Sequence, residues 1–144
     1  MKVLVSACLL GENCKYNGKN NANPAVMEFV RDKEIIAVCP EILAGLGCPR
    51  PCVELREGVA FDQNGNNIDE QFRSGVAKAL EQLEGERIDL AVLQSRSPTC
   101  GVKEIYDGSF TGKKIPGMGL LAKALTERGL RVVDAADVAA LTEE

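Results

Sequence analysis

KVLVSAC, residues 2–8, decides how the rest of the chain is read. A short β-branched and aliphatic run stops abruptly at a cysteine. Such a run predicts a strand buried on both faces, as in a parallel sheet. The same signature returns at residues 35–38 (IIAV), 88–93 (IDLAVL) and 130–133 (LRVV). Helical patterns lie between. Residues 24–31 (PAVMEFVR) have Asn23 as N-cap and Pro24 at the first helical position. Residues 69–83 carry Phe72, Val76, Ala79, Leu80 and Leu83 at helical spacing, with Gly85 as a stop. Residues 117–128 place Leu120, Leu121, Ala124 and Leu125 on one side and end at Gly129, and residues 135–141 form a short last helix. Strands alternating with helices predict an α/β fold with a mainly parallel, three-layer, Rossmann-like sheet. Its site loops lie at the strands' C-terminal ends. Residues 40–68, with three prolines, break the pattern and predict a small antiparallel excursion over 53–55 and 58–61, with a turn around Asn64 and Gly65.

The 144 residues fit one domain, 1–144, since domains run roughly 100–200 residues. Hydrophobic residues are 45% and charged residues 26%, ordinary values for a globular chain. Aromatics are 4% with no Trp, which speaks against stacking platforms for single-stranded nucleic acid. A net charge of −4 disfavours a polyanionic partner and favours a small-molecule substrate. The N-terminal apolar run ends in Gly11-Glu12-Asn13 with no cleavage pattern, so it reads as a strand rather than a signal peptide. No apolar stretch approaches the roughly 20 residues of a membrane helix. These features place the protein in the cytoplasm. The acidic residues 142–144 are expected to be a solvated end.

In a reducing cytoplasm six cysteines (8, 14, 39, 48, 52 and 100) point to metal binding or catalysis rather than to structural disulfides. The chain has no histidine. That removes His-based triads, Cys2His2 zinc and His-ligated haem, and leaves Glu, Asp, Lys, Tyr or Cys as acid or base. Cys8, Cys39 and Cys100 follow three different predicted strands, so the fold can bring them to one point. Cys100 sits in SPTCGVKEIYDGSFTG, residues 97–112, whose glycines would let backbone approach a bulky group. Thiolates bind zinc and iron–sulfur clusters, and three of them leave one metal position open. The spacings match neither ferredoxin runs nor a zinc ribbon. Three other readings stand beside this one. Any of the six could be a small core hydrophobe. Four cysteines, with Cys14 or Cys48, could close a zinc or iron site in a non-catalytic binding module. Cys8 could instead be a metal-free nucleophile or redox thiol.

SACLLGENCKYNG (6–18), CPEILAGLGCPRPCVEL (39–55) and SPTCGVKEIYDGSFTG (97–112) together resemble the bacterial 2-thiouracil desulfidase family, formerly a domain of unknown function. The resemblance covers nearly the whole chain, with the motifs in the family's order. It implies a single α/β domain holding a [4Fe-4S] cluster on three cysteines, and the removal of sulfur from 2-thiouracil to give uracil and hydrogen sulfide. By position, the ligands would be Cys8, Cys39 and Cys100, and the acid/base candidates Glu41 and Ser97. The chain departs from the family pattern at Ala44, at Lys15 and Asn17, at Gln94 and Thr99, and in having Cys48 and Cys52. The extra cysteines bear on the ligand set, and the changes beside the site bear on substrate range.

Each candidate also has a plain structural reading. Glu41 could cap a helix, Ser97 could satisfy a turn, and Tyr16-Asn17-Gly18 could be a tight turn or a pocket wall. Arg50 and Glu54 could pair as ions or serve a pocket. Residues 106–110 could be a turn packing Phe110 into the core. Cys48 and Cys52 could form a redox pair, although two intervening prolines stiffen it.

Overall fold

The computed structural model describes residues 1–141, and the acidic end at 142–144 lies outside the described residues. Four parallel strands form the main sheet: β1 (Lys2–Ser6), β2 (Glu34–Val38), β5 (Leu90–Leu93) and β8 (Val132–Asp134), in the order β2-β1-β5-β8. Two antiparallel hairpins flank it. One joins β3 (Val53–Arg56) to β4 (Val59–Asp62), and the other joins β6 (Glu104–Tyr106) to β7 (Lys114–Pro116). The helices are α1 (Pro24–Val30), α2 (Pro40–Leu43), α3 (Asp69–Glu81), α4 (Leu120–Glu127) and α5 (Val138–Leu141), with 3₁₀ turns at Ala7–Leu10 and Ala135–Asp137.

The three layers follow from alternation along the central strands. Val3, Val5, Leu90 and Val92 point to one face and pack with Val26 and Val30 of α1 and Val138 of α5. Leu4, Ala91 and Leu93 point to the other face, against Val76 and Ala79 of α3 and Leu121 and Leu125 of α4. Both faces are covered, so these strands read as continuous apolar runs. Asn23 caps α1 as its sequence requires, its Oδ1 accepting from Val26 N at 3.2 Å.

Several boundaries shift for local reasons. The strand expected at 130–133 begins at Val132, because Gly129, at φ +82°, and Leu130 turn back to the carbonyls of Thr126 and Leu125. The helix expected from 117 starts at Leu120, because the amides of Gly117 and Gly119 bond to the carbonyls of Lys103 and Gly101. The antiparallel excursion forms as expected, but its strands reverse at Glu57–Gly58 (φ +52° and +82°). The Asn64–Gly65 turn comes after β4 and is closed by Asp62 Oδ1, which accepts from the amides of Asn64 and Asn66. The β6–β7 hairpin went unread because three-residue strands carry too few residues for alternation to show. No helix among the described residues is long and apolar enough to cross a membrane.

Candidate active site

From β1 the chain passes to β2 on one side, then returns to β5 on β1's other side. Strand order therefore reverses beside β1, where open α/β sheets bind ligands outside their carboxyl ends. A cavity of about 540 Å³ opens there. Ser6 and Cys8 line it from the end of β1, Val38 and Cys39 from β2, and Gln94, Ser97 and Cys100 from beyond β5. The three cysteines singled out by strand position thus reach one cavity.

Two further thiols line it as well, Cys14 and Cys52, whereas Cys48 is exposed and outside the lining. All six thiols are free. Cys14 sits on the loop that also carries Cys8, and its buried thiol lies beside those of Cys8 and Cys39. By donating toward them it favours their ionised forms, bringing Cys8 down to about 7 and lowering Cys39, while burial works the other way. Cys14, as donor to both, is itself pushed up. The Asn21 side chain adds a donor to Cys8 Sγ at 3.4 Å. Cys100 is 4% exposed and also touches the apolar core, and burial pushes its thiol up to about 12. Among the described residues, no three His, Cys, Asp or Glu side chains converge closely enough to hold a single metal ion.

Cys39 stands at the N-cap of α2 with Pro40 at the first position, and Glu41 follows in the first turn. Glu41 does not cap its helix through its side chain. Its Oε2 lies 3.9 Å from Cys39 Sγ and accepts from Arg50 Nη2 at 3.3 Å. Burial raises the Glu41 carboxyl, and the Arg50 guanidinium partly offsets the rise. Arg50 also donates to the Cys14 carbonyl at 2.9 Å, the Gly47 carbonyl at 2.8 Å and the Cys48 thiol at 3.1 Å. The pairing of Arg50 with Glu54 does not form. Glu54 Oε1 instead accepts from the amides of Gly108 and Phe110, each at 3.1 Å.

Ser97 combines the two roles considered for it. Its Oγ accepts from Cys100 N at 3.0 Å and Thr99 N at 3.2 Å, closing the turn that presents Cys100, and it also lines the cavity. Tyr16 likewise belongs to a turn (Gly18 φ +78°) and to the cavity wall, and the residue is 42% exposed. Phe110 does not enter the core; it sits at φ +57° and lines the cavity. Two of the three glycines of the Cys100 loop, Gly101 and Gly108, admit protein, whereas Gly112 faces open space and lines the cavity. A Cβ on Gly101 would stand 2.8 Å from the Ser97 carbonyl oxygen, and one on Gly108 would stand 2.7 Å from Arg56 Cβ. The sequence reading missed the central place of Cys14, the Arg50–Glu41 pair and the turn in Glu54. For Cys14 a signal existed, since it shares the post-β1 loop with Cys8. Arg50 and Glu41 share one motif, and Glu54's partners are distant in sequence, but no local periodicity marks either contact.

Fold and site together define an α/β protein with a thiol-lined ligand cavity at its topological switch point. Its sequence matches the profile of the 2-thiouracil desulfurase family over residues 3–137. The chain belongs to that family. It is 35% identical to the uncharacterized protein YbbK of Bacillus subtilis (strain 168) over 141 residues, covering 91% of this chain and 93% of YbbK. The solved structure of the [4Fe-4S]-dependent thiouracil desulfidase TudS (DUF523Vcz) superposes with a TM-score of 0.89 at 30% identity, covering 98% of this chain and 95% of that one.

Proposed function

We propose that this chain is a [4Fe-4S]-dependent desulfidase of the cytoplasm. It converts 2-thiouracil, or a related thiolated pyrimidine, to the oxo base and releases hydrogen sulfide. The observation that carries this reading is the meeting of Cys8, Cys39 and Cys100, from the ends of three adjacent strands, on one cavity beside the buried Glu41. We take residues 1–144 as one domain serving this site.

The residues present fit an iron–sulfur cluster. The donors are soft thiols, two of them already biased toward the thiolate. Thiols ranged around a cavity suit a cluster whose irons each take a separate thiolate better than a single tetrahedral ion. Cys8, Cys39 and Cys100 would hold it, leaving one iron without a protein ligand. When bound, the cluster supplies a Lewis-acidic iron that attracts the thiocarbonyl sulfur.

Replacing C=S by C=O with water is a hydrolysis and needs no external electrons. Water adds its oxygen at C2, the C–S bond breaks, and the two protons of water leave with the sulfur. The chain must therefore move protons. Glu41, whose carboxyl burial raises above its ordinary value, is placed to hold and return one. The Ser97 oxygen already accepts two amides, so its hydroxyl serves as a proton donor rather than as a base.

The test is anaerobic purification and reconstitution, with iron and sulfide counted per chain, followed by a sulfide assay on added 2-thiouracil. About four irons per chain, lost in Cys100→Ala, together with sulfide release are expected. A cluster without sulfide release would overturn the substrate. No iron, or one tightly held zinc, would overturn the mechanism.

A further inference from the structure

The chain has six aromatic residues, two Tyr and four Phe. Phe72 is buried in the core, Phe29 packs against α1's side of the sheet, and Phe61 lies under the Arg56 guanidinium. The remaining three, Tyr16, Tyr106 and Phe110, all line the cavity, and they reach it from separate places. Tyr16 comes from the loop after β1, Tyr106 from the end of β6, and Phe110 from the β6–β7 turn. None of the three belongs to a core cluster. A chain poor in aromatics has gathered half of them around one opening, where their faces stay partly in water.

Phe110 is held there against its own backbone preference. Its φ of +57° lies in the left-handed region that a bulky side chain seldom adopts. Glu54 compensates, one carboxylate oxygen taking the amides of both Gly108 and Phe110. Gly108 seats the turn on β3 by a backbone approach to Arg56 and Leu55 that no Cβ would allow. Asp107 Oδ1 fixes the next residue by accepting from Ser109 N at 2.9 Å. A turn serving only to link two short strands would not need a strained phenylalanine at its tip.

We infer that Tyr16, Tyr106 and Phe110 form an aromatic clamp that binds the substrate by its flat ring, with Glu54 as the positioning residue for Phe110. The inference deepens the proposed function and rests on it for the choice of a pyrimidine. Flat unsaturated rings stack on aromatic side chains in offset or edge-on arrangements, largely independent of ring substituents. The clamp therefore selects planarity, leaving recognition of the sulfur to the group that Cys8, Cys39 and Cys100 would hold. Tyr16, whose hydroxyl is raised by the neighbouring Cys52 thiol, stays neutral and presents an uncharged face.

The test compares two ligands with the same hydrogen-bonding edge: uracil, which is planar, and 5,6-dihydrouracil, which is puckered. Dissociation constants are measured by calorimetry on the reconstituted full chain, with a thermal melt run on each variant. Wild type should prefer uracil by about tenfold, in line with the worth of one base–aromatic stack. Phe110→Leu should abolish most of that preference and raise KM for 2-thiouracil with kcat little changed, and Phe110→Tyr should restore both. Glu54→Ala should copy Phe110→Leu. Glu54→Gln should behave as wild type, since an amide oxygen accepts the same two N–H groups. Equal affinity of wild type for the two ligands, binding of neither, or a Phe110→Tyr defect equal to that of Phe110→Leu would overturn the clamp. Uracil preference without sulfide release would instead overturn the desulfidase reading and leave the clamp standing. Sulfide release without uracil preference would do the reverse.

Discussion

The Arg50 guanidinium bridges the Glu41 carboxylate, at 3.3 Å, and the Cys14 carbonyl, at 2.9 Å, joining the 39–55 motif to the 6–18 motif. Both side chains are largely buried, at 6% and 16% exposure. Removing one partner from such a pair leaves a buried charge uncompensated. Glu41 titrates above its ordinary value of 4.5 because it is buried, and Arg50 restrains that rise. A raised carboxyl contributes stability that is full below pH 4.5 and is lost as pH climbs through the folded value. In Arg50→Met the folded value moves higher still, so more stability is lost toward alkaline pH. We expect a deficit against wild type of about 3 kcal/mol at pH 8 that shrinks at pH 5, read from urea unfolding. An equal deficit at both pH values would show that Arg50 acts only through its backbone acceptors.

The cysteines should separate into two groups by iron content, with Cys14 set apart from Cys48 by thiol reactivity. Cys8→Ala, Cys39→Ala and Cys100→Ala should each lose most of the iron after anaerobic reconstitution. Cys14→Ala should retain it, because the proposed ligand set does not include Cys14. Its thiol instead biases Cys8 and Cys39 toward thiolate, so metal-free Cys14→Ala should alkylate more slowly at pH 7 than metal-free wild type. Cys48→Ala, outside the cavity lining, should match wild type in iron and in sulfide release. Iron loss in Cys14→Ala would make it a fourth ligand and would remove the open position.

The Ser97 hydroxyl serves the backbone and the cavity at once, and two substitutions separate these roles. Ser97→Ala removes the acceptor for the amides of Thr99 and Cys100, so iron retention and turnover should both fall. Ser97→Asn keeps an oxygen able to accept both amides but lacks the hydroxyl donor. It should hold its iron and lose kcat by about 10², the usual worth of a placed proton donor. If Ser97→Asn turns over like wild type, the hydroxyl is structural only.

The central strands β1 and β5 were legible because burial on both faces imposes apolar runs, whereas β2 carries such a run at the sheet edge while largely exposed, and the strands' carboxyl ends predicted where Cys8, Cys39 and Cys100 would meet. What stayed hidden depends on contacts that no period encodes. Arg50 and Glu54 read equally well as an ion pair or as pocket residues, and both do line the cavity. The fold gave Arg50 to Glu41, and gave Glu54 to the amides of a turn 54 residues away. Phe110 read as a core residue from its apolar side chain alone. Its left-handed backbone, which turns it to the cavity, is imposed by Glu54 and Gly108. The glycines near Cys100 were expected to let backbone approach a bulky group; at Gly101 and Gly108 the approaching group is the protein itself, and Gly112 faces open space beside the cavity.

Two glycines set the distance between the helical layer and the site, which makes them the sharpest test of that architecture. On α3, a Cβ at Gly75 would stand 2.1 Å from the Pro40 carbonyl oxygen and 2.8 Å from Ala44 Cβ, so α3 touches the turn that carries Cys39 and Glu41. At the start of α4, a Cβ on Gly119 would stand 2.5 Å from the Thr99 carbonyl carbon and 2.8 Å from Cys100 N. Neither neighbour is a flexible side-chain end that could swing aside. Gly75→Ala and Gly119→Ala should therefore each cost about 1–3 kcal/mol, the range for overpacking a filled interior. The cost should appear at the site as well as in the melt. Gly75→Ala displaces Cys39 and Glu41, and Gly119→Ala displaces Cys100, so both should reconstitute with less iron than a surface variant of equal stability. Normal iron in a destabilised Gly119→Ala protein would mean that the Cys100 loop moves without α4, and that the helical layer does not set the position of the thiol.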